Sequence, residues 1–410
     1  MIQRTIKQKI LNSLSLKEIT IIIGARQTGK TTLLKEIISD LTKKNKRVIY
    51  FNLDIEEDSK YFQSQRQLLN KIELEIGKET GFVFIDEIQQ KENAGKFLKG
   101  LYDMGLPYKF VVTGSGSLEL KEKIAESLTG RKYLIEMTPV NFTEFVNHKT
   151  AYKYKKNLSA FFELEKEKSE QLLNEYLDYG GYPAVVTAST IDRKIELMNE
   201  IFVSYITKDI SYLLGVRFPD KFIKLIKLLA VQSGSILNYS QLSQDTGIRV
   251  ETLKTYLWYA EQTFIIKIIK PYFTNRKKEL TKSPTVYFND LGMMNFAANN
   301  FSPAYNKGLL FQNFVYLLLK GKYSGGLSEI NFWRSKDKAE VDFVVSDGNV
   351  IIPVEVKYKK IIKPQVSKSF RSFINDYKPV KGYIVCIDSV TEDIIINGCR
   401  VDFIPFWKLF

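Results

Sequence analysis

The sequence predicts an α/β protein built of successive parts, and three observations carry that expectation. Four strand-length apolar runs punctuate the first 115 residues: "EITIII" (18–23), "RVIYFNL" (47–53), "FVFI" (82–85) and "KFVVT" (109–113). Helical stretches lie between them, such as "TTLLKEIISDLTKK", with Leu33, Leu34, Ile37, Ile38 and Leu41 on one stripe. Far downstream, "EVDFVVSDGNVIIPVEVK" (340–357) sets acids and a lysine across what reads as a strand hairpin.

Nearly continuous β-branched runs are how strands buried on both faces of a parallel sheet read. Their alternation with helices implies a doubly wound core. At 410 residues the chain exceeds one typical core. The expected parts are a parallel-sheet core over 1–150, a helical and winged-helix-like region over 151–300, and a second α/β domain over 301–410.

Composition narrows the chemistry. Apolar residues make up 44% and charged residues 26%, as in globular proteins. No run approaches eighteen apolar residues, and "MIQRTIKQKI" lacks the apolar stretch of a signal peptide, so the expectation is a cytoplasmic protein without a membrane partner. Cys386 and Cys399 then read as buried thiols. The single histidine, His148, leaves catalysis to carboxylates, lysine, arginine and bound metal. The net charge of +14 is spread evenly along the chain, with clusters at 43–47, 275–278 and 357–360. It favours an anionic partner such as DNA or RNA, and equally fits a lysine-rich solvated surface.

"GARQTGKTT" fits G-x-x-x-x-G-K-[ST] and lies between a strand and a helix, as a phosphate-binding loop must. Its residues Gly24, Ala25, Arg26, Gln27, Thr28, Gly29, Lys30, Thr31 and Thr32 are the expected nucleotide-binding loop. Gly24 and Gly29 let the backbone curl so that N–H groups face phosphate oxygens, and the helix N-terminus adds partial positive charge. Lys30 is expected to bridge the β- and γ-phosphates and the Thr31 hydroxyl to bind Mg2+. "FVFIDEIQQ" ends a buried strand in Asp86, expected to hold Mg2+ through water, and Glu87, expected to polarise the attacking water. Thr113 or Ser115, in "KFVVTGSGS", is expected at the γ-phosphate or the lytic water, with Thr113 preferred at the strand end. The set describes a P-loop phosphate site that works with Mg2+.

"GARQTGKTTLL", "FIDEIQ", "VVTGSGSLEL" and "LTGRKYLIEMTPVNFTEF" resemble the additional-strand P-loop ATPases of the AAA+ superfamily. More narrowly, the chain resembles a prokaryotic group that couples such an ATPase to a poorly characterised C-terminal domain. That likeness continues through "YGGYP", "YITKDI", "FNDLGMMN" and "FWRSKDKAEVDFVV". It implies a P-loop ATPase core that hydrolyses ATP, with ATP and Mg2+ as cofactors, and makes Arg131, in "TGR", a candidate γ-phosphate sensor or finger, in its own chain or across a subunit interface. An ion-paired surface arginine is the alternative. An oligomer is left open.

"YSQLSQDTGIRVETLKTYLWYAEQ" reads as two helices around a glycine turn, followed by two strands, which suggests a winged helix. Arg249, Lys254 and Thr255, and then Arg276, Lys277, Lys278 and Lys282, are its candidate DNA contacts. Such modules also serve as protein contacts.

In the last part, period-two alternation puts Glu355 and Lys357 on one strand face, and the turn at 346–349 brings Asp342 near. This is the chemistry of a metal-dependent nuclease of the restriction-endonuclease-like fold. The resemblance implies a glutamate on the preceding helix, where this chain has Gln312, a neutral oxygen in place of a carboxylate. Glu340 is a candidate substitute. The C-terminal nuclease-like domain is therefore expected to bind or dock rather than cleave. The leading expectation is ATP hydrolysis with Mg2+ that drives conformational change in the C-terminal modules, acting on DNA or a protein partner. The alternatives are an ATP-regulated metal-dependent DNA nuclease and a nucleotide-dependent, non-enzymatic binding switch.

Overall fold

Strands of the first sheet are β1 (Ile19–Gly24), β2 (Val48–Asn52), β3 (Gly81–Asp86), β4 (Tyr108–Ser115) and β5 (Lys132–Glu136). The computed structural model describes residues 1–115, 127–207, 210, 218–273, 283–301, 306–323, 328–389 and 393–410. All five strands run parallel in the order β2-β3-β4-β1-β5. The first four are the expected apolar runs.

Both faces of this sheet are covered, which is why its central strands read as unbroken apolar runs. Ile21, Ile23, Val83, Ile85 and Val112 pack on one side with Leu68, Ile72, Leu98 and Leu101. Ile22, Phe84, Val111 and Ile135 pack on the other with Leu33, Leu34, Ile37 and Leu41 of the Lys30–Lys43 helix. Because the strands are parallel, Gly24, Asn52, Asp86 and Ser115 all end at one edge.

The chain divides into two compact units, each assembled from separated stretches. The first comprises Met1–Glu144, Tyr182–Pro219 and Tyr256–Ile265. The second comprises Phe145–Gly181, Asp220–Thr255 and Ile266–Phe410.

In the second unit β6 (Ile266–Ile269) and β7 (Thr285–Phe288) form an antiparallel pair. The helix Tyr239–Thr246 ends at Gly247, whose φ of +65° turns the chain toward the next helix, starting at Val250. The basic residues 276–278 and 282, expected as DNA contacts, lie outside the described residues.

A six-stranded mixed sheet follows: β8 (Glu329–Arg334), β9 (Glu340–Asp347), β10 (Val350–Ile361), β11 (Lys381–Ser389), β12 (Asp393–Ile396) and β13 (Cys399–Pro405). Its order is β12-β13-β11-β10-β9-β8. β8, β9 and β10 form an antiparallel meander, and β10 pairs with β11 in parallel. That parallel step needs a crossover, supplied by the Lys368–Tyr377 helix, which buries Phe370, Phe373 and Ile374 with Val344, Ile384 and Phe403. Cys386 and Cys399 are free and buried. Among the described residues no helix is long and apolar enough to cross a membrane.

Two buried side chains tie helices to backbone in this unit. Asn313, on the Lys307–Lys322 helix, accepts from the Phe288 N–H at 2.8 Å and donates to the Phe288 carbonyl at 2.8 Å. Asp290 caps the Leu291–Ala297 helix through the Met293 N–H at 2.9 Å and accepts from the Gly181 N–H at 2.7 Å. Burial pushes the Asp290 carboxyl up to about 6. Gly180 holds φ +70°, and a Cβ there would lie 2.4 Å from Asp290 Oδ1. The segments "YGGYP" and "FNDLGMMN" thus meet at one carboxylate.

Candidate nucleotide-binding site

The phosphate loop leaves β1 at Gly24 and enters its helix at Lys30. A Cβ on Gly24 would sit 2.2 Å from the Met137 carbonyl oxygen, and Met137 N–H donates to the Ile23 carbonyl at 2.7 Å. Glycine is therefore demanded by the backbone crossing β1, a reason the motif alone did not supply. Gly29 holds φ +93°, the left-handed turn that aims the first helical amides into the loop. Gln27 shares that region at φ +60°.

Lys30 is buried, and its ammonium donates to the Gly24 carbonyl at 3.0 Å and the Ala25 carbonyl at 2.9 Å. Thr28 is buried and its hydroxyl donates to the Ala25 carbonyl at 2.9 Å. Arg26, Gly29 and Thr31 are half-buried, and Gln27 and Thr32 are exposed. An open cavity of about 220 Å³ borders the loop, lined by Ile2, Thr28, Thr32, Leu33, Pro183 and Ala184 among others.

Asp86 ends β3 fully buried. Its Oδ1 accepts from the Thr113 hydroxyl and its Oδ2 from the Tyr50 hydroxyl at 3.1 Å. Burial, with the Asp86 carboxylate beside it, holds Tyr50 well above the usual phenol range, so it remains a donor. Thr113 lies on β4 opposite Ile22 of β1, between Asp86 and the loop-bearing strand. Its oxygen also accepts from the Glu87 N–H at 3.4 Å. Glu87 adopts φ +56°, uncommon for a residue with a side chain, and strain of this kind persists where the surroundings fix it. The Gln89 amide donates to Glu87 Oε2. Ser115 closes β4 at the same edge.

Tyr50 and Gln89 were not assigned roles from sequence. Gln89 lay inside the quoted "FIDEIQ", whereas Tyr50 becomes visible only through the β2–β3 register that pairs Asn52 with Asp86.

The donor set suits a hard divalent cation. Two hydroxyls orient Asp86, and Thr31 lies in the first turn of the helix beside the loop; Mg2+ takes few protein ligands and completes its shell with phosphate and water.

Arg131 is placed elsewhere. Its carbonyl accepts from the Ile19 N–H at 2.9 Å, so it stands where β1 begins, not where it ends. Five strand steps separate that edge from Gly24, about 16 Å. There Arg131 pairs with Asp103 at 2.8 Å and lies over the Tyr102 ring. This placement sets Arg131 apart from its own chain's phosphate loop.

In the second unit the structure brings Gln312, Asp342, Glu355 and Lys357 together. Asp342 accepts from the Gln312 amide nitrogen at 2.8 Å and the Val356 N–H at 2.7 Å. Burial pushes the Asp342 carboxyl up to about 7. Glu355 pairs with Lys357 at 2.7 Å and accepts from the Ser367 hydroxyl at 2.8 Å. Glu340 pairs with Arg334 at 2.7 Å. The expectation that Gln312 offers an oxygen is corrected: it presents N–H to the acid, because its Oε1 lies on the side of Gly234. Every Asp342 and Glu355 oxygen meets a protein donor in this arrangement. Among the described residues no group of three or more His, Cys, Asp or Glu is arranged to hold a metal ion.

Residues 16–146 match the family model described as an AAA domain. Residues 170–304 and 307–409 match two models described as domains of unknown function (DUF8612 and DUF4143). The uncharacterized protein MJ1544 of Methanocaldococcus jannaschii is 30% identical over 420 aligned positions, covering 99% of this chain and 90% of that protein. The chain belongs to the MJ1544 family. An uncharacterized protein of Haemophilus influenzae is 26% identical, covering 95% of this chain and 94% of its own. Among solved structures, the Aeropyrum pernix Orc1 protein in complex with DNA is similar at a TM-score of 0.30 and 10% identity, covering 72% of this chain and 91% of that one. In this MJ1544-family chain the five-stranded parallel sheet with its flanking helices has the fold of a P-loop ATPase core, in the region that matches the AAA domain, and a mixed-sheet α/β unit lies C-terminal to it.

Proposed function

We propose that the chain binds ATP and hydrolyses it with Mg2+, using the cycle to change the conformation of its C-terminal modules on DNA or a protein partner. The observation that supports this most is the convergence of the Gly24–Thr32 loop, Asp86, Glu87 and Thr113 at one edge of the sheet. Loop amides and Lys30 hold the phosphates, and Gly29 sets the turn that aims them. Mg2+ near Thr31 and Asp86 would offset charge on the transferred phosphoryl group. Thr113 holds Asp86 and the Glu87 backbone, leaving Glu87 to orient water. Two buried free thiols suit a reducing, cytoplasmic setting. If the chain assembles, Arg131 is a candidate to serve a neighbouring subunit's nucleotide.

Steady-state phosphate release and nucleotide titration test the reading. Lys30→Ala should abolish binding; Glu87→Gln should bind and not turn over. Normal turnover by Glu87→Gln removes its assigned role, and binding without release by the unaltered protein favours the non-enzymatic switch. The nuclease alternative requires Mg2+- or Mn2+-dependent nicking that disappears in Asp342→Ala; the Gln312 amide on that acid weighs against it. DNA as partner predicts an affinity that falls steeply with salt.

A further inference from the structure

Arg4 lies outside every motif, yet its side chain is only 7% exposed and ends against the phosphate loop. Its Nε pairs with Glu144 at 3.0 Å, and Nη1 donates to the Thr28 carbonyl at 2.8 Å. Nη2 donates to the Thr138 carbonyl at 2.6 Å and the Pro139 carbonyl at 3.2 Å. Glu144 is 3% exposed and is held in turn by the Thr5 N–H at 2.6 Å, the Thr5 hydroxyl at 2.8 Å and the Asn141 N–H at 3.1 Å. One planar guanidinium thus joins the loop to the chain that leaves β5, the same chain whose Met137 carbonyl crosses Gly24.

We infer that Arg4 is a positioning residue for the phosphate loop, acting through the Thr28 carbonyl to aim the loop amides at phosphate. In a trans peptide the C=O and the following N–H point in opposite directions. A donor that fixes the Thr28 oxygen from outside the loop therefore turns the Gly29 N–H away from itself. The left-handed Gly29, at φ +93°, follows directly, so a rotation of the Thr28–Gly29 peptide would disturb the first amides of the helix as well. Lysine cannot replace this residue. It carries one nitrogen where three directions are needed, and a buried pair of ions holds its place only when its hydrogen bonds are complete. The inference rests on the nucleotide reading above.

The test titrates the full chain with ATP and, separately, with inorganic tripolyphosphate, both with Mg2+, comparing the unaltered protein with Arg4→Lys. Circular dichroism confirms that each is folded at the temperature used. Arg4→Lys should bind both ligands about tenfold more weakly, the scale of one lost charge-assisted hydrogen bond. KM for ATP should rise by a similar factor while kcat falls less than about threefold, a split that lost stability alone does not produce. A folded variant with unchanged affinities overturns the inference, as does a loss for ATP that spares tripolyphosphate. Unaltered protein that binds neither ligand overturns the nucleotide reading and this inference with it. Should Arg4→Lys not fold, Glu144→Gln decides: it keeps an acceptor oxygen and removes the charge aiming the guanidinium. About threefold weaker binding of both ligands supports the inference, and unchanged binding overturns it.

Discussion

The Gln312 side-chain nitrogen donates to Asp342 Oδ1 at 2.8 Å, so an amide occupies the place where a second acid would complete a metal site. Gln312→Glu should set two carboxylates against each other and raise the Asp342 carboxyl further above 7. At pH 8 the variant should lose about 2 kcal/mol of stability, and millimolar Mn2+ should restore part of it while leaving the unaltered protein unchanged. Chemical denaturation with and without Mn2+, in the absence of nucleotide, checks this. A variant indifferent to Mn2+ would show that more than Gln312 keeps metal out.

Asp342 also carries a pH signature. Its folded value near 7 exceeds the ordinary carboxylate value near 3.9, chiefly through burial. The folded state therefore holds the proton longer, and the stability it contributes is fully present below about pH 4 and lost as pH rises through 7. Asp342→Asn should flatten that decline, whatever its effect at one pH. Urea midpoints between pH 4.5 and pH 8 read the slope, and equal slopes would show that Asp342 is not its source.

Thr113→Val removes the hydroxyl shared by Asp86 and the Glu87 N–H while keeping the β-branched shape inside β4. ATP affinity should stay within about threefold and turnover should fall by tenfold or more, because the acid and the water-orienting residue lose their common anchor. Parallel loss of affinity and turnover would instead place Thr113 in ground-state binding.

Gly24→Ala brings a Cβ to 2.2 Å from the Met137 carbonyl, which is backbone and cannot rotate aside. A destabilisation of about 3 kcal/mol or more should follow, with β1 and β5 forced apart. A thermal melt without nucleotide separates this from lost phosphate binding; an unchanged midpoint would mean that the phosphate loop alone requires this glycine.

What was legible in the sequence follows from range of interaction. β1 to β4 announced themselves because each is buried on both faces, and the loop because its glycines and lysine are adjacent in the chain. β5 did not, since only Ile135 among its five residues is buried and the pattern lacks a run. Arg4 gave no sign, for its carboxylate partner lies 140 residues away. Gln312 was placed beside Asp342, yet nothing in the chain says which amide atom faces the acid. Consecutive boundaries also hid the return of residues 182–219 and 256–265 to the first unit.

Gly180 and Asp290 stand 110 positions apart yet share one small volume, with 2.4 Å left between a new Cβ and the acid. Neither position is free to drift alone. A larger residue at 180 would also meet the Gly292 backbone nitrogen at 2.5 Å and hold a φ of +70°, so no change at 290 makes room for it, and a shorter acceptor there gives up its hold on Gly181. Across MJ1544 relatives the two sites should remain as they are, an inherited unit that no single stretch of chain contains.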